Sequence, residues 1–227
     1  MNIVKTFLRN SGLFRKFSAF LYSLPVILSN LWVVVRGNVV ISGCFLRRCS
    51  FKLIGKNIRI IIGNDSVLTD CSFYCKGNNV TVKIEGNKTR IKKASFHCED
   101  DDSFIMISHG FSMEGGHIAA TEGVGIKIGE DCMFSNDIEI RNGDSHSIWL
   151  LASDERLNKA KSVIIGSHVW LCAHSRVMKG SEIPDNSIIG NSAIVSGVLK
   201  ETNAIYAGSP IQLVKRNIEW SRKRFER

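Results

Sequence analysis

One interval governs what this chain can fold into. From Ile165 onward an apolar residue returns at every sixth position, as Ile165, Leu171, Val177, Ile183, Ile189 and Val195. Four positions after each stand Val169, Ser175, Ser181, Ser187, Ala193 and Leu199, mostly small. An amphipathic helix repeats near 3.6 residues and a half-buried strand repeats at 2, so a strict six serves neither. It serves a coil of three short strands, each one hexapeptide long. One aliphatic side chain per strand points to the axis, and the small residue sits at the tight corner. Two correlated positions kept through six hexads exclude a β-sandwich with chance spacing, and they predict an all-β solenoid.

Earlier sequence keeps the beat less cleanly. Ile128, Phe134 and Ile140 form one stretch, and Ile62, Leu68, Tyr74 and Val80 another. An Ile-Gly step recurs at Ile54-Gly55, Ile62-Gly63, Ile128-Gly129, Ile165-Gly166 and Ile189-Gly190. Residues 86–125 are expected to form irregular coils. Only 3 prolines interrupt the chain, as stacked parallel strands require, since each proline removes a ladder hydrogen bond.

A solenoid buries each coil only against its neighbours and needs caps at its ends. Three regions follow: an N-terminal helical segment over 1–36, the coils over 37–210, and a short C-terminal helix over 211–227. In the last, Ile211, Val214, Ile218 and Phe225 fall near one helical face. The apolar run Phe17–Val35 follows Lys5, Arg9, Arg15 and Lys16. It is interrupted by Ser18, Ser23, Pro25, Ser29 and Asn30, so a cap or a membrane-surface contact is expected in preference to a span. The formal charge of +9 gathers at the two ends and forms no basic stripe, which argues against nucleic acid. The 7 cysteines include no CxxC pair, so a disulfide framework or structural zinc is not expected and a reducing compartment fits. The flat faces of a three-sided prism invite self-association, and a homotrimer with clefts between subunits is expected.

The good region breaks once. Ile140 and Ile165 lie 25 residues apart, which is not a multiple of six, so residues 144–162 must leave the coil as a loop. Loops on rigid scaffolds carry function. The flanking sequence is distinctive: Ile128-Gly129-Glu130-Asp131, then Ile140-Arg141-Asn142-Gly143-Asp144-Ser145-His146-Ser147-Ile148, a loop with Arg156 and Asn158, Val163-Ile164-Ile165-Gly166-Ser167-His168-Val169-Trp170, and Ala207-Gly208-Ser209-Pro210. This resembles the hexapeptide-repeat acyltransferases, whose fold is a left-handed parallel β-helix, and most of all those that O-acetylate sugars of capsule, O-antigen or sialic acid. The likeness covers residues 126–218 well and the first half only in style.

The resemblance implies an acetyl-coenzyme A-dependent O-acetyltransferase acting in the cytoplasm on a carbohydrate acceptor of a surface polysaccharide. His146 takes the family's general-base position. A sugar hydroxyl is too weakly acidic to ionise unaided, and an imidazole titrates near neutrality. Asp144 is expected either to orient His146 or hold a sugar hydroxyl, or to be a turn residue bonding its own backbone. Trp170 matches a family tryptophan near the thioester, with Asn136 and Arg141 as further candidates for the acceptor or acyl pocket. Coenzyme A is expected along Ala173, Asn191 and Ser196, its phosphates near Lys200, Lys215 and Arg216. Cys172 replaces a usual glycine, Asn191 a usual alanine. His146, His168 and His174 are the only histidines to weigh as a metal set. The latter two, six apart, project from different faces, so no metal is expected. Two other readings stay open at this point: N-acetylation of a nucleotide-linked amino sugar, and a non-catalytic solenoid scaffold.

Overall fold

The computed structural model describes residues 12–29, 39–41 and 43–225. Among these the chain winds into a parallel β-helix of three sheets with seven, nine and seven strands. Each turn contributes one strand to each sheet. Thus 125–128, 133–134 and 138–141 form one turn, and after the loop 163–165, 170–171 and 176–177 form the next. Within the three sheets every strand pairing is parallel except the last, in which Gln212–Lys215 folds back antiparallel on Ile205–Ala207.

The inward column of the second sheet fixes the length of a turn. Leu46, Leu68, Ile91, Met113, Phe134, Leu171 and Ile189 stand one above another. The steps between them are 22, 23, 22, 21, 37 and 18 residues. Beyond Ile165 a turn of 18 residues is three hexads, and the six expected axial residues of the two turns there are all buried, as are Val169, Ser175, Ser181, Ser187 and Ala193 at the corners. The earlier turns are longer because their third-sheet strands hold five or six residues and turn two or three side chains inward, as in Ala94, Phe96 and Cys98.

Two expectations are corrected by this. Residues 86–125 are regular coils of the longer kind, with strands 90–92, 94–99, 104–107, 112–113 and 116–120 in full register. Tyr74 does not point to the axis; Phe73 and Cys75 do, because the third-sheet strand there alternates with period 2. Phe51, Phe73 and Phe96 consequently stack down the core at 4.9 and 4.8 Å.

Helix α1, Gly12–Ser29, covers the first coil. Ser23 is fully buried; its Oγ donates to the Cys44 carbonyl at 3.1 Å and accepts from the Leu46 amide at 2.9 Å, closing the open end of the second sheet. Ala19 and Val26 face the coil, while Phe17, Phe20, Leu21 and Leu28 face away from it. Among the described residues no helix is long and apolar enough to cross a membrane. Lys5 and Arg9, and residues 30–35 of the apolar run, lie outside the described residues.

The C-terminal helix expected over 211–227 is absent among its described residues. Gln212–Lys215 pairs as a strand, Asn217 adopts φ 57°, which a helix cannot continue, and Val214 and Phe225 stay 64% and 89% exposed. The sequence beyond the strand instead descends the corner between the first and second sheets. Ile218 exchanges bonds with Asn203 at 2.9 and 3.2 Å. Trp220 stacks on His168 at 3.9 Å and donates Nε1–H to its carbonyl at 2.9 Å. Arg222 reaches Asp131 at 2.8 Å and the Cys132 carbonyl at 2.8 Å.

Candidate functional site

The 37-residue step between Phe134 and Leu171 contains the loop, which leaves the third sheet at Arg141 and returns at Val163. Asn158, 6% exposed, is its keystone. Its Nδ2 donates to the Asp144 carboxylate at 3.0 Å and to the His146 carbonyl at 2.6 Å, and its Oδ1 accepts from the Ile148 amide at 2.7 Å. Lys179, from the next coil, binds the same Asp144 carboxylate and the Asn158 carbonyl at 3.1 Å. On the other side Arg156 meets Glu122 at 2.5 Å, and the second oxygen of Glu122 accepts from the Ala160 amide at 3.1 Å.

These contacts hold the ring of His146 out from the chain. It is exposed, and no side chain among the described residues bonds it. The Asp144 carboxylate goes to Lys179 and Asn158 and not to the imidazole, so within one chain Asp144 acts on His146 through the loop's backbone. Lys179, with Asn158 beside it, holds the Asp144 carboxyl below the usual carboxylate range. Arg156 does the same for Glu122.

Beside the loop's root, a groove of about 400 Å³ runs along the outside of the third sheet, lined by His97, His117, Glu122, Arg141, Gly143 and Ser145 among others. Arg141 enters it with Nε held by Glu139 at 2.6 Å, and Glu139 is shared with Arg176 at 2.8 Å. Burial, with His97 and Arg141 adding to it, pushes His117 down to about 4.

Trp170 lies elsewhere. It stands half-buried on the second sheet, 5.9 Å from Trp220, whereas His146 stands at the corner between the third and first sheets. One protomer therefore does not bring the two together. Ala173 and Asn191 stack at the corner after the second sheet, where the Ser192 amide donates to the Ala173 carbonyl at 2.9 Å, with Asn136 one coil below. Ser196 and Lys200 follow the last third-sheet strand and are exposed, as are Lys215 at the end of the closing strand and Arg216 just beyond it; Arg216 stands 3.7 Å from Glu201. Burial pushes the Cys172 thiol up, which disfavours a nucleophile there. His168 and His174 sit at two other corners, each with Nδ1 2.7 Å from a carboxylate of the coil below, Asp131 and Asp137. The three histidines considered as a metal set stand at three different corners.

Sequence reasoning missed Lys179, Glu122 and Trp220. Lys179 and Trp220 lie 35 and 52 residues from the groups they bind, and only the coil register brings them close.

No family model matches the chain. It is similar to the polysialic acid O-acetyltransferase of Neisseria meningitidis, 37% identical over 174 residues that cover 76% of this chain and 80% of that protein. A polysialic acid O-acetyltransferase of Escherichia coli O1:K1 / APEC is 32% identical over 120 residues, covering 53% of this chain and 39% of that one. Among solved structures, that of the polysialic acid O-acetyltransferase OatWY superposes with a TM-score of 0.67 at 30% identity, covering 79% of this chain and 92% of the other.

Proposed function

Because this chain belongs to the hexapeptide-repeat, left-handed β-helix acyltransferases, alongside the polysialic acid O-acetyltransferases, we propose that it moves an acetyl group from acetyl-coenzyme A to a hydroxyl of an acidic surface polysaccharide. The observation that carries the mechanism is the anchored loop. Asn158, Asp144 and Lys179 fix the backbone on both sides of His146 and leave its ring open to a substrate.

In the reaction His146 takes the proton of the acceptor hydroxyl as its oxygen attacks the thioester carbonyl. The C–S bond breaks, and the proton passes to the departing coenzyme A thiolate. An imidazole suits both transfers, taking the proton in its neutral form and giving it back as the imidazolium. His146 and Trp170 leave one prism on different sides, so the reacting centre lies between two copies in a trimer, the imidazole of one facing the tryptophan of the next. Ile148, Trp149, Leu151 and Leu157 on the loop are all more than half exposed, an apolar surface that a neighbouring subunit would cover. Coenzyme A then lies along Ala173, Asn191 and Ser196 toward Lys200, Lys215 and Arg216.

The enzyme works in the cytoplasm, where the donor is made, and the free thiols accord with that. The outward residues of α1, Phe17, Phe20, Leu21 and Leu28, with the cations before them, serve as a peripheral contact to the inner membrane face. Binding to anionic vesicles that falls with salt and is lost on deleting residues 1–36 supports this contact; salt-independent binding overturns it.

The decisive assay incubates purified protein with acetyl-coenzyme A and polysialic acid, and weighs the product by mass spectrometry. His146→Ala is expected to keep the melting temperature and lose about 10²–10⁴-fold in rate. Retention of more than about a tenth of the rate removes His146 as the base.

A further inference from the structure

Resting on the reading of this chain as a polysaccharide O-acetyltransferase, we propose that the outer face of the third sheet is the track on which the acceptor chain lies, with Tyr74, His97, His117 and Arg141 as rungs that bind sugar hydroxyls. The parallel register sets Lys52, Tyr74, His97, Ala119 and Arg141 in one column, with Ser95, His117 and Glu139 in the next. With strands about 4.8 Å apart, the three steps from Tyr74 to Arg141 span about 14 Å, the reach of a short oligosaccharide.

The rings of these two columns lie against one another. Tyr74 and His97 lie 5.3 Å apart, His97 and His117 4.6 Å, and Lys52 stands 5.4 Å from the Tyr74 centroid. Their polar edges are what remain for a ligand. Among the described residues the Tyr74 hydroxyl, both His97 nitrogens, His117 Nε2 and the terminal nitrogens of Arg141 have no hydrogen-bond partner, although all four residues are half-buried. The inner ends of two are fixed, His117 Nδ1 to Ser95 Oγ at 2.7 Å and Arg141 Nε to Glu139. Fixed side chains with open polar tips lose little freedom when a hydroxyl-rich ligand arrives.

The state of the histidines fits that ligand. Burial keeps both His97 and His117 below the ordinary imidazole value, so at neutral pH each ring carries one donor and one acceptor, both of them open on His97 and only Nε2 open on His117. A hydroxyl can use either. Of the three carboxylates lining the groove, Glu122 is engaged by Arg156 and Asp100 by the Thr121 hydroxyl at 2.6 Å, and the third, Glu99, acts on His97 by its charge. Small Ala119, between His97 and Arg141 in the column, gives the groove its depth. At its upper end Gly143 and Ser145 belong to the root of the loop that carries His146. A glycan lying along the column is thereby led to the base.

The test measures binding by fluorescence anisotropy, with end-labelled sialic acid oligomers of increasing length as probe. Wild-type affinity is expected to rise with length until the chain covers the ~14 Å track and then to level. Tyr74→Phe with His97→Ala should bind the longer oligomers about tenfold more weakly. It should bind the monosaccharide and acetyl-coenzyme A as the wild type does, with an unchanged melting temperature. Affinity that ignores length, no binding at any length, or long chains bound undiminished by the double variant overturns the track. Because the readout is binding, oligomers that bind on this face yet receive no acetyl group overturn the transferase reading and leave the track standing. Polymer acetylated by the double variant at the wild-type kcat/KM overturns the track alone.

Discussion

Replacing Asn158 by alanine separates the loop's order from the stability of the coils beneath it. The side chain accepts a long hydrogen bond from Arg156 Nε at 3.4 Å and makes three short ones, to the Asp144 carboxylate, the His146 carbonyl and the Ile148 amide. At about 1 kcal/mol net for each, their loss removes about 3 kcal/mol from the ordered loop. That shifts the ratio of ordered to open loop by roughly a hundredfold. The coils keep their own ladders, and local openings of this kind lie below the global unfolding free energy. The variant should therefore show amide exchange at Ile148 and Leu157, which are bonded at the loop's neck, faster by up to about a hundredfold. kcat/KM for acetyl transfer should fall by the fraction of loops left open, a smaller factor than the change in exchange, while the thermal midpoint moves little. Lys179→Ala, which leaves the Asn158 side-chain bonds in place, should do the same to a smaller degree. Unchanged exchange in the loop alongside a lost rate would falsify the reasoning, as would a melting temperature that falls in step with activity.

Phe96→Ala removes a fully buried ring stacked at 4.8 Å on Phe73 and should cost about 3–5 kcal/mol, read as a lower denaturant midpoint; a cost below about 1 kcal/mol refutes a rigid aromatic column. His117 is held at about 4, so between that value and the ordinary imidazole value the unfolded chain takes up a proton that the folded one does not. Stability should thus fall as pH drops through this window, and His117→Gln should flatten the slope of melting temperature against pH; an equal slope in the variant removes His117 as the cause. Trp220→Ala unstacks the tail from His168 and should expose Arg222 to trypsin far sooner without lowering the main transition; unchanged cleavage means that Arg222 alone holds the tail.

The hexad was readable where a turn is three hexads long and blurred where it is not. Beyond Ile165 each strand carries one inward residue, so the beat of six survives intact. Before Ile140 the third-sheet strands carry two or three inward residues, and a period of 2 intrudes on the six, as at Ala94, Phe96 and Cys98. Counting sixes through Leu68 therefore lands on Tyr74, which faces outward between two inward residues. The C-terminal stripe misled for a related reason. Ile211, Val214 and Ile218 have helical spacing, but the top of the second sheet offers a strand edge, and Gln212–Lys215 takes it. An unpaired edge outweighs a weak amphipathic pattern.

The loop was legible as a failure of arithmetic, and that same failure orders the polar residues around it. Its insertion lengthens one turn to 37 residues, so groups 37 apart become neighbours across that step. Asp131 meets His168, Asp137 meets His174 and Glu139 meets Arg176, each at this separation and each at 2.7 or 2.8 Å. In sequence these are scattered charges with nothing to link them. In the coil they bind the turn below the loop to the turn above it, at two corners and on the third-sheet strand from which the loop departs. Lys179, 35 residues from Asp144, makes the corresponding tie at the remaining corner. Exposed pairs of this kind add little stability singly. Their value is geometric: they hold in register the two coils between which His146 is suspended, so its position is set by the solenoid and not by the loop alone.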